Sequence, residues 1–466
     1  MGLCTFGNLS GDKVALIDQH GTQITYSELT SHANFLANEI PDNALVVVNA
    51  SNTINFVIIY LSALQNKFGL VILPEKTKKQ DALGIVQKFK AHSFIEYGMD
   101  RFSEFKKDFY LHTYFDSESI DSEIKLLLST SGSISKPKFV KLSLDNIQSN
   151  SNSIIQALSL KNSDVAISTL PLNYSYGLSI LNTHLLVKGK VVLTNKSFLD
   201  KEFWNLVNEF NVTNFGGVPK QFEILLRVAE RLKLAGSLRF ITQAGGKLQI
   251  STQKQVKNIL GSKVKFFAMY GQTEATARIS ILQDRDWESK CGSVGQPICG
   301  VEVVIEPNSG IEIGGNEILN SSTSGNAIGE IIVKGKNVFL GYANDFADLK
   351  ESNSRPNRLS TGDVGYRDND GYLYVLGRNS REVKITGRRL NLDFIETVCK
   401  ENFKIHAIVS KNDAIFVFAP YRQPKLIDFL SEDTGITKSQ INVVELNEVP
   451  LLISGKVDFT ELEKMC

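Results

Sequence analysis

Two apolar runs of the same kind, Leu45-Val46-Val47-Val48 and Leu70-Val71-Ile72-Leu73, decide the fold class of this chain. Each run is short, continuous and rich in branched residues, which is typical of a strand buried on both faces. Between them, residues 52–65 have the length and the apolar spacing of a helix. A strand, a helix and a second strand in this order form a βαβ unit, and the sequence therefore predicts a parallel sheet.

The same alternation continues through the middle of the chain. It predicts strands at residues 124–128, 165–168, 191–194, 213–215, 240–243 and 264–269, with helices that include 201–210 and 220–234. Beyond residue 290, short strands follow each other without long helices, which favours a small antiparallel barrel or sheet. We therefore predict an α/β protein. A large N-terminal domain of parallel-rich βα sheets spans 1–379 with a β-barrel-like subdomain at about 291–377, and a small α+β C-terminal domain spans 380–466.

Composition excludes several classes of protein. The chain has 466 residues and a formal net charge of +1, from 51 Lys+Arg against 50 Asp+Glu, which argues against a general nucleic-acid binder and against electrostatic docking on acidic membranes. The longest apolar stretch, residues 56–61, is far shorter than the ~20 residues of a membrane span, and residues 1–6 do not resemble a secretory signal. The five cysteines are scattered without a CxxC pair, which favours reduced thiols. We expect a cytoplasmic protein.

A polar loop follows the predicted strand at 124–128. It runs Ser129-Thr130-Ser131-Gly132-Ser133-Ile134-Ser135-Lys136-Pro137-Lys138. Hydroxyl groups, backbone N–H groups and a lysine can together bind phosphate oxygens. The Walker pattern GxxxxGK[ST] is absent, and most Ser/Thr/Gly loops are plain turns, so the loop alone does not establish a phosphate site.

Four further motifs follow this loop along the chain. They are Tyr270-Gly271-Gln272-Thr273-Glu274, then Leu359-Ser360-Thr361-Gly362-Asp363 with 371–378, then 383–389, and finally Gly455-Lys456-Val457-Asp458. In this order and at these separations the five motifs resemble those of the acyl-adenylate-forming family. That family includes acyl-CoA synthetases, the adenylation domains of peptide synthetases and luciferase. The resemblance covers about residues 124–458, most of the chain.

The resemblance implies an AMP-forming acid–thiol ligase. A carboxylate attacks the α-phosphate of ATP, which is bound with Mg²⁺, and gives an acyl-AMP and pyrophosphate. A thiol, of CoA or of a carrier protein's phosphopantetheine, then takes the acyl group. The implied partner is a small-molecule carboxylic acid, and any carrier protein would act in trans because no carrier domain follows residue 466 in this sequence.

The resemblance also assigns roles to individual residues. Lys456 would bridge the carboxylate and the α-phosphate, Thr273 would bind the α-phosphate, and Glu274 would bind Mg²⁺. The implied nucleotide contacts are Thr130, Ser131, Gly132, Ser133, Lys138, Gly245, Gly246, Tyr270, Gly271, Gln272, Asp363 and Arg378. The implied acyl pocket contains Asn173, Tyr174 and Tyr176. The implied hinge and thiol tunnel contain Ser380, Lys384, Gly387 and Arg389.

The sequence departs from the family pattern in ways that leave alternatives open. Ile134, Ser135 and Phe139 replace residues that are usually Thr, Gly and Gly, and the altered loop motivates a catalytically degenerate member that binds a nucleotide or acyl group as a scaffold. A free-standing amino-acid adenylation enzyme is a further alternative. The segment 170–178 has no Asp to hold an α-ammonium group, however, and its paired tyrosines favour a short or medium non-amino acid. An oxygenase of the luciferase type has no distinct sequence support.

Overall fold

The structure is a computed structural model in which the described residues are 4–98, 102, 109–116, 118–129, 138–307, 327–351, 357–386, 388–451 and 457–466. The chain divides into two compact units. The first comprises Met1–Glu302 and Lys334–Leu359, and the second comprises Val303–Val333 and Ser360–Cys466.

Strands and helices alternate through residue 300. The described strands are β1 (Val14–Asp18), β2 (Gln23–Thr25), β3 (Leu45–Asn49), β4 (Gly69–Leu73), β5 (Ser93–Tyr97), β6 (Phe109–Thr113), β7 (Ile124–Ser129), β8 (Phe139–Ser143), β9 (Val165–Ile167), β10 (Lys190–Leu193), β11 (Asn214–Gly217), β12 (Phe240–Gln243), β13 (Lys265–Tyr270), β14 (Ser280–Leu282) and β15 (Gln296–Pro297). The described helices are α1 (Tyr26–Ala37), α2 (Ile54–Gln65), α3 (Lys79–Lys88), α4 (Leu144–Leu158), α5 (Ser175–Leu186), α6 (Lys201–Glu209), α7 (Pro219–Arg227), α8 (Ala229–Leu234) and α9 (Ile250–Leu260).

Strands predominate in the remainder of the chain. They are β16 (Val301–Pro307), β17 (Gly329–Gly335), β18 (Tyr342–Ala343), β19 (Arg358–Arg367), β20 (Leu373–Arg378), β21 (Glu382–Ile385), β22 (Arg388–Asn391), β23 (Ala407–Lys411), β24 (Ala414–Ala419) and β25 (Ile441–Glu445). The described helices here are α10 (Leu392–Asn402), α11 (Pro424–Thr434) and α12 (Phe459–Lys464).

The predicted βαβ unit forms the centre of a seven-stranded sheet with the order β18-β8-β7-β4-β3-β5-β6. Strands β7, β4, β3 and β5 are parallel, and the strands beyond them pair antiparallel. Helix α2 connects β3 to β4 and is buried at every residue from Ile54 to Leu64. It contacts both β4 and β1, and β1 belongs to the other large sheet. A helix covered on all sides needs no polar face, which explains its continuous apolar sequence.

The second large sheet has nine strands in the order β15-β14-β13-β12-β11-β9-β10-β1-β2. The six strands from β13 to β1 in this order are parallel to their neighbours. Strands β2, β14 and β15 pair antiparallel at the two edges. Because β9, β11, β12 and β13 run in one direction side by side, the segments that follow them leave the sheet at one edge.

One predicted helix is divided. The sequence predicts a single helix over residues 220–234, whereas the structure has α7 and α8 with Val228 between them. Val228 has φ −117° and ψ 30°, outside the helical range. A β-branched side chain loses rotamer freedom in a helix, so this residue is a favourable place for the interruption.

The second unit contains smaller sheets. Strands β16, β17, β19 and β20 form a four-stranded sheet in that order, β21 and β22 form a hairpin, and β23, β24 and β25 form a three-stranded sheet. Helices α10 and α11 pack on the last of these sheets through a core that includes Ile395, Leu426, Leu430, Ile408 and Ile415. Helix α10 also contacts β20, since Phe394 and Val398 pack against Leu376 and Ile328.

The α/β class that the sequence predicts is confirmed. The predicted boundary at residue 380 stays a prediction, and the structure places β16–β20 and the C-terminal elements in the same compact unit apart from β18. None of the described helices combines the length and the apolarity that a membrane span requires.

Thr25 caps helix α1, and substitutions of Thr25 test how much this cap stabilises the protein. The Glu28 backbone N–H donates to Thr25 Oγ1 at 3.2 Å, and the Thr25 backbone N–H donates to the Glu28 carboxylate at 2.8 Å. Thr25→Ala removes one half of this capping box, so we expect urea denaturation to give a free energy of unfolding about 1 kcal/mol lower. Thr25→Ser keeps the hydroxyl group and is the control. An equal loss in both variants would contradict the assignment of this stability to the cap.

Candidate active site

Many of the residues assigned by the resemblance lie where parallel strands of the nine-stranded sheet end. The segments that follow β9, β11, β12 and β13 leave the sheet at one edge. These strand ends and segments contain Asn173, Tyr174, Tyr176, Gly245, Gly246, Tyr270, Gly271, Gln272, Thr273 and Glu274. Ligands of parallel α/β sheets bind at this edge. The fold therefore places these residues where such a sheet binds its ligands.

The turn after β13 is built on a close approach of two backbone segments. A Cβ atom on Gly271 would lie 2.0 Å from the carbonyl oxygen of Ala277, so only glycine fits there without movement of the backbone. The turn continues into a short 3₁₀ helix, Thr273–Ala275. The hydroxyl oxygens of Thr273 and Ser175 lie 3.3 Å apart. This packing fixes the position of Thr273 and Glu274 relative to the start of α5.

The chain around this turn fits a nucleotide. The Gln272 side-chain nitrogen is buried and has no acceptor among the described residues. An orphaned buried donor favours a ligand with acceptor atoms, such as phosphate or adenine. Gly245 has φ +81° and lies where a Cβ atom would stand 2.7 Å from the Tyr174 hydroxyl. Both features fit the resemblance, which assigns these two residues to nucleotide contacts.

Glu274 is held by a residue that the sequence did not single out. The hydroxyl group of Tyr342 donates to Glu274 Oε1 at 2.9 Å, and Phe339 N–H donates to the Glu274 carbonyl oxygen at 2.9 Å. The ammonium group of Lys138 lies 5.7 Å from the centroid of the Tyr342 ring, which is within the range of a cation–π contact. Tyr342 therefore connects the predicted magnesium ligand to the last residue of the predicted phosphate loop.

The two tyrosines of the predicted acyl pocket differ in their surroundings. Tyr176 is 1% exposed, and its hydroxyl group donates to the Thr242 carbonyl oxygen at 2.9 Å. Burial raises the pKa of this hydroxyl to about 12, against the opposing effect of the Arg278 guanidinium. Tyr174 is partly exposed, and burial raises its pKa as well. Both hydroxyl groups are therefore neutral at physiological pH, and the two rings meet edge to face at 6.4 Å.

In the second unit the structure brings together two of the predicted nucleotide contacts. Asp363 on β19 lies opposite Arg378 on β20, and the Arg378 Nε atom is 3.2 Å from Asp363 Oδ1. The Asp363 side chain is 7% exposed and the Arg378 side chain is 56% exposed. The pair therefore has a buried carboxylate and an exposed guanidinium.

The predicted hinge and tunnel residues lie on neighbouring segments of the second unit. Ser380 is exposed in a short 3₁₀ helix, Asn379–Arg381, directly after β20. Lys384 is exposed on β21 and is paired in register with Arg389 on β22. Gly387 lies outside the described residues, as do Lys456, Thr130, Ser131, Gly132 and Ser133. The roles of all these residues stay predictions.

One departure from the family pattern has a structural explanation. Phe139, at a position where the family usually has Gly, is fully buried on β8. Its ring meets that of Phe89 edge to face with 5.2 Å between the centroids. The larger side chain therefore fills the core beneath α3, while Ile134 and Ser135 lie outside the described residues.

Comparisons with known proteins identify similar chains. The family model described as AMP-binding enzyme matches residues 121–343. The chain is 27% identical to a 2-succinylbenzoate–CoA ligase of Oceanobacillus iheyensis over 84% of this chain and 81% of the relative. It is 26% identical to an oxalate–CoA ligase of Saccharomyces cerevisiae over 72% and 62% of the two chains.

Two solved structures share the fold. The o-succinylbenzoate coenzyme A synthetase of Bacillus subtilis, in complex with ATP and magnesium ion, has a TM-score of 0.76, 23% identity and 97% coverage of both chains. ATP-bound MatB from Rhodopseudomonas palustris has a TM-score of 0.77 and 22% identity, with 97% of this chain and 96% of that chain covered. The mixed α/β architecture described above is therefore that of these enzymes.

Tyr342→Phe tests whether the hydroxyl group orients Glu274. The change keeps the ring beside Lys138 but removes the donor to the carboxylate. We expect the Mg²⁺ concentration needed for half-maximal ATP binding to rise about tenfold, because partners that orient a metal ligand affect metal affinity to this degree. Calorimetric titration of ATP at several Mg²⁺ concentrations measures it.

Tyr110→Phe is the matched control for this experiment, since Tyr110 on β6 is 65% exposed. Both variants should melt at the wild-type temperature. An unchanged Mg²⁺ requirement in Tyr342→Phe would contradict the positioning of Glu274 by Tyr342.

Proposed function

Because the chain belongs to the acyl-adenylate-forming family, we propose that it is an AMP-forming ligase that activates a small carboxylic acid with ATP and transfers the acyl group to coenzyme A. The observation that carries the proposal is the turn Gly271–Glu274, which presents Gln272, Thr273 and Glu274 at the carboxyl edge of a parallel sheet. Relatives named as CoA ligases support the thiol acceptor.

The first half-reaction joins the carboxylate to the α-phosphorus. A carboxylate oxygen of the acid forms a bond to the α-phosphorus, and the bond to the bridging oxygen breaks to release pyrophosphate. Thr273 would donate a hydrogen bond to the α-phosphate, Lys138 would attract the outer phosphates, and Glu274 would hold Mg²⁺. When bound, Mg²⁺ neutralises phosphate charge. Lys456 places an ammonium group between the two reacting anions, where negative charge gathers.

The second half-reaction transfers the acyl group. The thiolate of CoA attacks the acyl carbon of the acyl-AMP, and AMP leaves with the oxygen that came from the acid. A free-standing carrier protein with a phosphopantetheine thiol is an alternative acceptor in the same role. The neutral hydroxyls and apolar rings of Tyr174 and Tyr176 favour a non-amino acid as the substrate, since no carboxylate side chain lies among residues 170–178 to bind an α-ammonium group.

The experiment that tests this function is isotope exchange between pyrophosphate and ATP over a panel of carboxylic acids. Thioester formation with CoA is followed in parallel by mass spectrometry. We expect exchange to depend on one class of acid and a CoA thioester of the same acid to accumulate. ATP binding without exchange for any acid would favour the rival function, a scaffold that binds nucleotide, which the replacements Ile134 and Ser135 motivate.

Lys456→Ala should lower the rate of exchange by about 10²–10³-fold, because a preorganised charged donor is lost from the transition state. Thioester formation from supplied acyl-AMP should persist, since that step no longer needs the bridging ammonium group. Lys464→Ala is the matched control, because this exposed lysine of α12 pairs only with Glu461 among the described acidic residues. Wild-type exchange in Lys456→Ala would contradict the assignment.

Gly387→Leu should separate the two half-reactions. We propose that the backbone at Gly387 lies along the path of the pantetheine arm, where a large side chain would narrow the tunnel. We expect exchange to continue while transfer to CoA is blocked. Ser380→Pro should slow transfer more than exchange, because it stiffens the hinge proposed at this residue. Equal loss of both half-reactions in Gly387→Leu would contradict a second arrangement of the terminal segment.

A further inference from the structure

Arg278 is a buried cation beside the predicted acyl pocket. It follows the Gly271–Glu274 turn and is 3% exposed. Its guanidinium carbon lies 3.9 Å from the centroid of the Tyr176 ring. The Nε atom donates to the Met269 sulfur at 3.3 Å, and the Nη1 atom donates to the carbonyl oxygen of Ala277 at 3.1 Å. The side chain is therefore fixed against the wall that carries Tyr176.

The charge of Arg278 has no counter-ion in the described part of the chain. Arg239, by comparison, pairs with the buried carboxylate of Asp164 at 3.2 Å, and Arg378 pairs with Asp363. Burial lowers the pKa of the Arg278 guanidinium, and the neighbouring Tyr176 and Tyr174 partly oppose this shift. Because an arginine stays protonated in proteins, the molecule holds a buried positive charge whose described acceptors are a thioether, a carbonyl group and the neutral hydroxyl of Tyr176.

A buried charge without a partner is costly, and such a charge in a binding site points to a ligand that supplies the partner. The bonds to Met269, Ala277 and Tyr176 use three of the five N–H donors of the guanidinium. None of these acceptors is anionic. A carboxylate would match the planar fork of the guanidinium and neutralise its charge, which neither a neutral nor a cationic group would do.

Arg278 contacts Tyr176, a residue of the predicted acyl pocket, so its charge lies beside the predicted site of the acid rather than that of the nucleotide. Thr273 and Glu274, where the reacting end of the acid would lie, belong to the turn that leads into Arg278. Tyr176, beneath the guanidinium, stands one residue after Ser175, whose hydroxyl oxygen is 3.3 Å from that of Thr273. The acid would therefore extend from Thr273 along the tyrosines, and its far end would meet Arg278.

We propose that Arg278 determines the specificity of the acyl pocket and that the substrate carries a second carboxylate at the end remote from the one that is activated. This inference rests on the proposed function, and it narrows the substrate class from carboxylic acids to dicarboxylic acids. One carboxylate is adenylated, and the other forms a two-pronged ion pair with the guanidinium.

The test compares acids of equal chain length that differ only in the second carboxylate, such as butanoate with butanedioate and hexanoate with hexanedioate. Pyrophosphate exchange gives kcat/KM for each acid, and the ratio of diacid to monoacid is the readout. We expect a ratio of about 10² or more for at least one pair, since a buried charge left unpaired penalises the monoacid. Arg278→Met should lower that ratio by about 10²-fold, mainly through the KM of the diacid.

Two further variants separate a specificity role from a structural one. Arg278→Lys keeps a positive charge without the planar fork, so the ratio should fall between those of the wild type and Arg278→Met. Arg239→Lys is the control. This arginine pairs with Asp164 just before the start of β12, whereas the predicted site lies where β12 ends, so the change should leave the ratio unchanged. Melting temperatures of all three variants show whether each is folded.

The outcomes distinguish this inference from the proposed function. Exchange that prefers monoacids in the wild type would overturn the inference while the ligase function stands. An unchanged ratio in Arg278→Met and Arg278→Lys would do the same, because it would make Arg278 a structural residue. Absence of exchange with every acid of either class would overturn the proposed function, and the inference with it.

Discussion

The close contact between Gly271 and the backbone of Ala277 is the constraint on which the site depends. A Cβ atom at Gly271 would lie 2.0 Å from the Ala277 carbonyl oxygen, so the chain after β13 must fold back tightly. This tight return brings the backbone of Arg278 beside Gly271, with Thr273 and Glu274 in the turn between them. A looser turn would not hold the Glu274 carboxylate and Arg278 at a fixed separation.

The two carboxylates of the predicted site are each held in place by a neighbouring donor. Glu274 accepts a hydrogen bond from Tyr342, and Asp363 is paired with Arg378. Each carboxylate is thus held by a donor before any ligand binds, which lowers the reorganisation needed when the ligand arrives. Arg278 is the exception, because it is buried without an anionic partner among the described residues. The difference matters because a buried charge without an anionic partner is costly, and a bound anion would offset that cost.

The elements and motifs predicted from the sequence rest on local patterns. The βαβ unit from Leu45 to Leu73 and the strands that precede each motif could be predicted from short apolar runs, since a buried parallel strand has this composition. The interruption at Val228 could not, because a single residue weakens a helical pattern very little. Tyr342 and Arg278 were missed because their roles come from pairing across the fold: Tyr342 is 68 positions from Glu274, and Arg278 has no motif of its own.

The central claim is that a carboxylate oxygen attacks the α-phosphate of ATP, and the fate of that oxygen tests it most directly. The acid that supports exchange is labelled with ¹⁸O in the carboxylate that is activated, incubated with ATP and CoA, and the products are analysed by mass spectrometry. The account predicts one ¹⁸O atom in AMP and none in pyrophosphate. Label in inorganic phosphate with formation of ADP, or unlabelled AMP, would contradict it.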